Sequence, residues 1–216
     1  MKKKALDIYY FFFWTFVFGS VFGYVYEMLL NFIKHGNWDS RQGLLYGPIS
    51  QVYGLGMILF IIVLGKTKKV WKQFIIGFFV GGIAEFICSW VQEYVFGSIS
   101  WDYSQYFLNI DGRTSPFHMI AWGLLGVLIV HFAWPLLSQM IEALKNKKGY
   151  ILTFILSVFL FIDIALSITA CIRQKEREQN IPADNIIRET MDKWYPDSFL
   201  YKVYPNKQSK VLPNTK

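Results

Sequence analysis

The sequence has few of the residues on which secreted domains and common soluble enzymes depend. Only two of its 216 residues are cysteine, and only 17% are charged. Cys88 and Cys171 both lie in apolar stretches, so we predict neither a disulfide framework nor a cysteine-rich metal site. The sequence also lacks a Gly-x-x-x-x-Gly-Lys phosphate loop, a Gly-x-Ser-x-Gly elbow and a His-Glu-x-x-His pair. The chain alone therefore cannot hydrolyse ATP by a P-loop mechanism. We predict no cofactor and no metal, and whether the protein is an enzyme stays open.

Long hydrophobic stretches take the place of these features. Hydrophobic residues make up 54% of the chain and aromatic residues 19%, and they fall in blocks separated by short charged clusters. A membrane helix needs about 20 apolar residues to cross a hydrocarbon core about 30 Å thick. We therefore predict an all-α, polytopic transmembrane helix bundle over residues 1–172. Its five predicted spans lie near 8–33, 47–64, 70–96, 116–137 and 150–172. Gly47-Pro48 is the expected start of the second helix, since proline suits a first turn.

The distribution of positive charge predicts the orientation in the membrane. Although the formal net charge is +7, the lysines cluster at the ends of the hydrophobic blocks, which favours anchoring in a lipid bilayer over binding to nucleic acid. Ten Lys and Arg residues lie in or beside the connections on one side of the predicted spans, against three on the other. By the positive-inside rule the N-terminus is cytoplasmic and the protein spans the cell (plasma) membrane several times.

The C-terminal region, residues 173–216, is polar and contains proline and charges of both signs. Five spans would place it outside the cell. Within it, Asp184 to Trp194 has the spacing of a short amphipathic helix that would lie on the membrane or cap the bundle. A solvated tail is the alternative interpretation.

The connection between the third and fourth spans, Val91 to Trp122, is richer in polar residues than a simple connector requires. Together with ionisable residues inside the spans, it supplies the candidates for a substrate-binding site or polar cavity. They are Glu27, Arg41, Glu85, Gln92, Glu93, Trp101, Asp102, Tyr103, Asn109, Arg113, His118 and Asp163. A charge in hydrocarbon costs about 2.5–3.5 kcal/mol on insertion scales, so carboxylates inside membrane helices need a role. No catalytic residue is assigned.

Depth along the predicted helices suggests which of these residues meet. Glu27 and Glu93 would reach the outer layer, where Arg41 and Arg113 could pair with them. Glu85, Ser89 and Gln92 fall on one helical face. Asp163 would either meet Glu85 at mid-depth or stand alone as a protonated carboxyl bonded to a neighbouring helix.

Gly19-x-x-x-Gly23 has the small-residue spacing that permits close helix approach. The spacing is compatible with a homo-oligomer, but such spacings also arise by chance in apolar sequence.

Three clusters together resemble a known family. The first is Glu27 with Arg41-x-Gly-Leu-Leu-Tyr-Gly-Pro48, the second is Glu93-x-x-Phe-Gly followed by Trp101-Asp-Tyr-Ser, and the third is Asn109-x-x-Gly-Arg113 with Trp122-Gly. The combination resembles bacterial membrane proteins classed as ABC-transporter permeases of the CmpB type. The resemblance implies a polytopic membrane protein, and it supplies no catalytic or substrate-binding residues. The sequence departs from the usual pattern at Ser50 and Ser100.

Three functions follow as hypotheses. The first is a permease-like transport subunit, active with a separate ATPase and open to homo-oligomerisation. The second is an intramembrane enzyme or lipid-handling protein with a polar site at the extracytoplasmic face. The third is a structural or sensory membrane subunit, in which the polar layer only fixes the loops.

Overall fold

The computed structural model describes residues 2–210, with side chains from Lys4 onward. The helices are α1 (Lys2–His35), α2 (Gln51–Leu64), α3 (Val70–Phe96), α4 (Pro116–Leu128), α5 (Trp134–Ala143), α6 (Lys147–Glu178), α7 (Ile186–Trp194) and α8 (Asp197–Val203). A π-helical turn, Ile129–Ala133, joins α4 to α5 as one continuous rod. Two short strands, β1 (Ser98–Ile99) and β2 (Gln208–Ser209), form an antiparallel pair. The predicted all-α membrane fold is confirmed, since four helical rods are long and apolar enough to span a membrane: α1, α3, α4–α5 and α6.

The long helices define two ends of the bundle. At one end the Tyr150 hydroxyl donates a 2.7 Å hydrogen bond to Asp7, which joins the starts of α6 and α1. At the other end the Lys175 ammonium donates to the Val95 carbonyl at 3.2 Å, which joins the ends of α6 and α3. We call the first the N-terminal end and the second the tail end, because the C-terminal residues pack there. Helices α1, α3 and α6 therefore run in the same direction.

Helix α2 is shorter than the predicted second span. Its 14 residues rise about 21 Å, less than the thickness of a hydrocarbon core. The expected start at Gly47-Pro48 is wrong, because residues 36–50 are not helical and their backbone bonds to neighbouring helices instead. The Leu45 amide donates to Ser167 of α6 at 2.9 Å, and the Ser50 amide donates to the Ser20 carbonyl of α1 at 3.3 Å. Non-helical backbone is tolerated at membrane depth when protein satisfies its polar groups in this way.

Small residues bring the helices together. Side-chain carbons added at Gly19 and Gly23 would meet Met57 and Tyr53, so the Gly19-x-x-x-Gly23 face is occupied by α2 of the same chain. On α3, carbons added at Gly81 and Gly82 would collide with side chains of α4. Close approach of α1 to α2 and of α3 to α4 therefore depends on glycine at these contacts.

The π-helical turn has an identifiable cause. Pro135 lacks an amide hydrogen and occurs one turn after His131, where a regular helix would need that donor. His131 forms a 2.8 Å hydrogen bond with Gln73 of α3, and Gln73 donates to the Thr67 carbonyl at 2.8 Å. His131 thus links two helices and the short connection before α3 at the N-terminal end.

The part of the C-terminal region that the structure describes is folded onto the tail end. Helix α7 begins after Asn185, whose side chain accepts hydrogen bonds from the amides of Ile187 and Arg188. An apolar cluster joins the tail to α6 and to the loop before α2; its buried members are Leu45, Ala170, Met191, Tyr195, Leu200 and Val203. Residues 211–216 of the predicted tail lie outside the described residues.

Ion pairs reinforce this contact. Arg173 and Arg177 of α6 bind Asp192 of α7 at 2.8 and 2.6 Å, and Arg177 also reaches Asp197 at 2.5 Å. Arg188 pairs with Glu176 at 2.6 Å. The described tail is a packed cap on the bundle, held by apolar burial and by several charged contacts together.

Candidate functional site

The candidate site is built by the connection between α3 and α4, residues 97–115, at the tail end. The connection leaves α3 at Gly97, whose left-handed backbone conformation ends the helix. It then turns tightly at Asp111 and Gly112, which both have positive φ. The Tyr103 amide donates to the Gly112 carbonyl at 2.7 Å and closes the loop on itself. Asn109 stabilises the same turn, since its side chain donates to the Ser104 and Tyr106 carbonyls at 3.0 Å and accepts from the Gly112 amide at 2.9 Å.

Arg113 clamps this loop onto α3. Its guanidinium binds Glu93 at 2.6 Å and Asp111 at 2.7 Å, and it donates to Ser89 at 3.3 Å. The Glu93–Arg113 pair is the one expected from the sequence. The Arg113 side chain is only 12% exposed, whereas Glu93 is 36% exposed. Burial lowers the pKa of Arg113, but Asp111 and Glu93 together outweigh it and raise the pKa above the ordinary value, so the group stays charged.

A polar cavity of about 370 Å³ opens between the loop and the end of α3. Its lining consists of Ser89, Glu93, Ile99, Trp101, Asp102, Ser104, Asn109, Asp111, Gly112, Arg113 and Lys210. We call it the tail-end cavity. Three carboxylates and two cations contribute to the lining, so it can offer charged and hydrogen-bonding groups of both kinds to a small polar molecule.

Two lining residues are held by contacts of their own. The Trp101 indole donates to the Arg113 carbonyl at 3.0 Å. Asp102 accepts a 2.9 Å bond from the Ser104 amide and a second bond from the Ser104 hydroxyl. These bonds hold the pKa of Asp102 below its ordinary value, with a smaller contribution from Lys210, whose ammonium lies 3.9 Å from Asp102.

Glu85 lies deeper along the same face of α3. It is 6% exposed and accepts hydrogen bonds from Thr114 at 2.8 Å and from the Tyr103 hydroxyl at 3.2 Å. Burial raises the pKa of Tyr103, and Glu85 raises it further, so Tyr103 acts here as a donor. Gln92, nearer the loop, donates to Ser100 at 2.8 Å. The buried Ser89, between Glu85 and Gln92, faces the tail-end cavity.

His118 stacks on Tyr103 with ring centroids 3.5 Å apart. Its Nδ1 atom shares a 2.8 Å hydrogen bond with the Ser115 hydroxyl, a partner that the sequence did not reveal. Because Ser115 is completely buried, the bond orients the imidazole and does not present a nucleophile to a substrate.

Glu27, Arg41 and Asp163, the remaining predicted site residues, do not line the tail-end cavity. The expected Glu27–Arg41 pair does not form within residues 2–210: Arg41 donates to Asn31 near the end of α1, and Glu27 lies close to Tyr53 of α2. Asp163 does not meet Glu85 either. It accepts from the Tyr46 amide at 3.2 Å and from Ser167 at 3.3 Å, on the side of α6 that faces the loop before α2.

Sequence reasoning missed Lys210, which lies far outside the predicted loop, and its candidates also left out Ser104 and Asp111 within the loop. Lys210 is brought to the cavity by the β1–β2 pair, and its amide donates to the Gly97 carbonyl at 2.7 Å. Strands β1 and β2 have only two residues each and lie far apart along the chain, so no local pattern in the sequence predicts that they pair. Within residues 2–210, no group of three or more His, Cys, Asp or Glu side chains could hold a metal ion.

Comparison with known proteins agrees with the membrane architecture. No curated protein and no solved structure matches the chain. One family model matches residues 14–168, which run from within α1 to within α6 and include the loop that forms the tail-end cavity. The chain therefore belongs to the membrane-protein family described as "Putative ABC-transporter type IV".

Proposed function

We propose that this protein is the membrane-spanning subunit of a transporter and that the tail-end cavity binds its substrate. The observation that carries the proposal is a cavity large enough for a small molecule, about 370 Å³ and lined mainly by polar side chains, at one end of a helix bundle. Membership of an ABC-transporter family supports the transport role. The chemistry of the lining favours a small polar solute with charged groups.

A polar path leads from the tail-end cavity toward the middle of the bundle. Ser89 lines the cavity, Glu85 follows one helical turn deeper, and Tyr103 connects Glu85 to the loop. Ionisable groups at membrane depth in transport proteins commonly mark the route of an ion or substrate. Glu85 and Tyr103 are accordingly the residues we propose for the first step inward from the cavity.

Energy for active transport would come from a separate ATPase, because the sequence has no P-loop. We propose that the ATPase docks at the N-terminal end, on residues 65–72 and 138–149, and that this end faces the cytoplasm. The first of these connections carries four lysines, and the Gln73–His131 hydrogen bond ties it to the α4–α5 rod. A movement of residues 65–72 would therefore be transmitted to the α4–α5 rod, which begins beside the tail-end cavity.

A structural role for the loop is the second candidate, and one observation favours it. Every nitrogen of the Arg113 guanidinium already has a partner in Glu93, Asp111 or Ser89. One donor on each of the three nitrogens is therefore used to hold the loop, which the arginine does without any ligand. The two candidates differ in whether the cavity retains a bound molecule.

The test is native mass spectrometry with thermal unfolding of the purified wild type and the variants Glu93→Gln and Arg113→Gln. Asp39→Asn is the matched control, because it also neutralises a charge but lies on an exposed loop outside the cavity. We expect the wild type and the control to retain a small molecule that folded Glu93→Gln loses. If no preparation carries a ligand and both cavity variants only unfold at lower temperature, the structural role is correct and the binding site is rejected. A retained lipid would support lipid handling instead.

A further inference from the structure

Asp163 on α6 is a buried carboxyl, and one of its two oxygens has no hydrogen-bond partner among the described residues. The residue is 1% exposed. Its Oδ1 atom accepts hydrogen bonds from the Tyr46 amide and the Ser167 hydroxyl, whereas Oδ2 is buried with no hydrogen-bond partner. A buried ionised carboxylate needs more compensation than this, so the neutral acid fits the site and the charged form does not.

The position of Asp163 along α6 adds to the free-energy cost of ionising its carboxyl. Helix α6 has 32 residues and is about 48 Å long, and Asp163 lies about 24 Å from its start. The carboxyl therefore lies near the middle of the longest apolar helix after α1. Carboxylates at such depth in membrane proteins are paired, neutral or in contact with water.

No cation compensates the carboxyl within residues 2–210. Arg173, further along α6, is engaged by Asp192 and Glu176, and Lys207 of the tail donates to Gln174 at 2.6 Å. The titratable groups that face Asp163 are tyrosines: Tyr46 from the loop before α2, and Tyr195 and Tyr204 from the tail. None of them carries a positive charge that could stabilise a carboxylate.

The tail supplies the lid over this site. Tyr195 follows α7 and bonds through its hydroxyl to the Tyr46 hydroxyl at 3.1 Å. Tyr204 follows α8, and its hydroxyl is also buried without a hydrogen-bond partner while facing Asp163 and Ser167. Neither Oδ2 of Asp163 nor the Tyr204 hydroxyl has a hydrogen-bond partner among the described residues, so the two are not bonded to each other, and burial beneath the tail is what keeps a proton on Oδ2.

We propose that Asp163 is a proton-binding site closed by the C-terminal tail, occupied by a proton while the tail is docked and emptied into water when residues 195–210 lift away. In the release step the O–H bond breaks, the electron pair stays on the carboxylate, and a water molecule that enters the space vacated by the tail takes the proton. The site suits a proton better than a metal ion. It offers a single carboxylate, and no group of three or more metal-ligating side chains occurs among the described residues. The inference is independent of what the protein transports.

Linkage between the proton and the lid gives a pH dependence with a defined sign. The docked state holds one proton more than the open state, so docking weakens as the pH rises. Above the pH at which the open site loses its proton, each further unit should reduce the docking equilibrium up to about tenfold, until the docked site also titrates.

Hydrogen–deuterium exchange of peptides covering residues 195–210 tests the proposal on the full chain in nanodiscs from pH 5.5 to 9. The wild type is compared with Asp163→Asn at each pH, so that the intrinsic pH dependence of exchange cancels. The asparagine can keep both acceptor bonds of Oδ1 and, like the protonated acid, it is uncharged and carries a donor in place of Oδ2. We expect the exchange rate of the wild-type tail, divided by that of Asp163→Asn, to rise up to about tenfold per pH unit. A ratio that stays constant across the range overturns the proposal.

Tyr195→Phe provides the second variant, since it removes the hydroxyl bond from the tail to Tyr46, whose amide binds Asp163, but keeps the ring. We expect its tail to exchange faster than the wild-type tail at every pH, and we expect peptides of α3 and α4 to be unaffected. Should the tail of Tyr195→Phe exchange as slowly as that of the wild type throughout the pH range, the bond to Tyr46 does not hold the tail over Asp163 and the proposed closure is wrong.

Discussion

Arg113→Gln is the change that most directly probes how the tail-end loop is held. It leaves Glu93 and Asp111 without their cation and removes the hydrogen bond to Ser89. Removing one member of a buried ion pair costs about 3–5 kcal/mol. Because Glu93 is 36% exposed, water compensates part of this loss, and we expect a decrease of about 2 kcal/mol in the free energy of unfolding.

The assay is thermal and denaturant unfolding in one detergent, arranged as a double-mutant cycle with Glu93→Gln. A loss of about 2 kcal/mol corresponds to a fall of about 4–8 °C in the unfolding temperature for a chain of this size. Since the two side chains are in contact, the double variant should be more stable than the sum of the single changes implies, by about 1 kcal/mol or more. Additive effects, or an unfolding temperature within 1 °C of wild type (about 0.3 kcal/mol) for Arg113→Gln, would refute the clamp.

Two further predictions concern helix packing and acid stability. Gly81→Ala should destabilise the bundle by about 1–3 kcal/mol, because the new carbon would overlap the Trp122 side chain. The matched control Gly56→Ala has open space at its position and should be neutral or up to about 1 kcal/mol more stable. Thermal unfolding distinguishes the two variants, and equal losses of stability would contradict the proposed contact. Arg173 and Arg177 hold the pKa of Asp192 below its ordinary value of 3.8, so this contribution to tail docking is fully present above that value and lost as the pH falls through the lowered pKa. Limited proteolysis of the tail should therefore accelerate below pH about 4 in the wild type and much less in Asp192→Asn, and an equal acceleration in both would show that Asp192 is not the group that titrates.

The membrane fold was predictable because the apolar blocks of α1, α3, α4–α5 and α6 are long and separated by charged residues. For the second apolar block, the predicted start of the helix was wrong. Leu44 and Leu45 are almost completely buried in a segment whose turn residues resemble an exposed loop. Its backbone is satisfied by Ser20, Asp163 and Ser167, and such long-range bonds leave no local periodicity in the sequence.

The candidate site was predictable where partners lie on one helix and the loop that follows it. Glu85, Glu93 and Arg113 share a helical face or an adjoining turn, so spacing brings them together. Arg41 and Asp163 were harder to place, because their partners depend on how the loop before α2 folds inward. Lys210 and Tyr204 reach their positions because the tail packs on the bundle. That packing depends on the three-dimensional arrangement of several ion pairs, which the sequence does not reveal.

The transport role itself is tested by asking whether an ATPase joins this chain in the membrane of its native host. The chain would be purified after mild cross-linking, and subunits carrying a Gly-x-x-x-x-Gly-Lys motif would be quantified for the wild type and for a variant with Lys66, Lys68 and Lys69 replaced by glutamine. We predict that an ATPase subunit co-purifies in a fixed ratio with the wild type and is depleted with the lysine variant, while unfolding temperatures stay equal. Repeated recovery of the folded chain without any such subunit would contradict a role as the membrane subunit of an ATP-driven transporter.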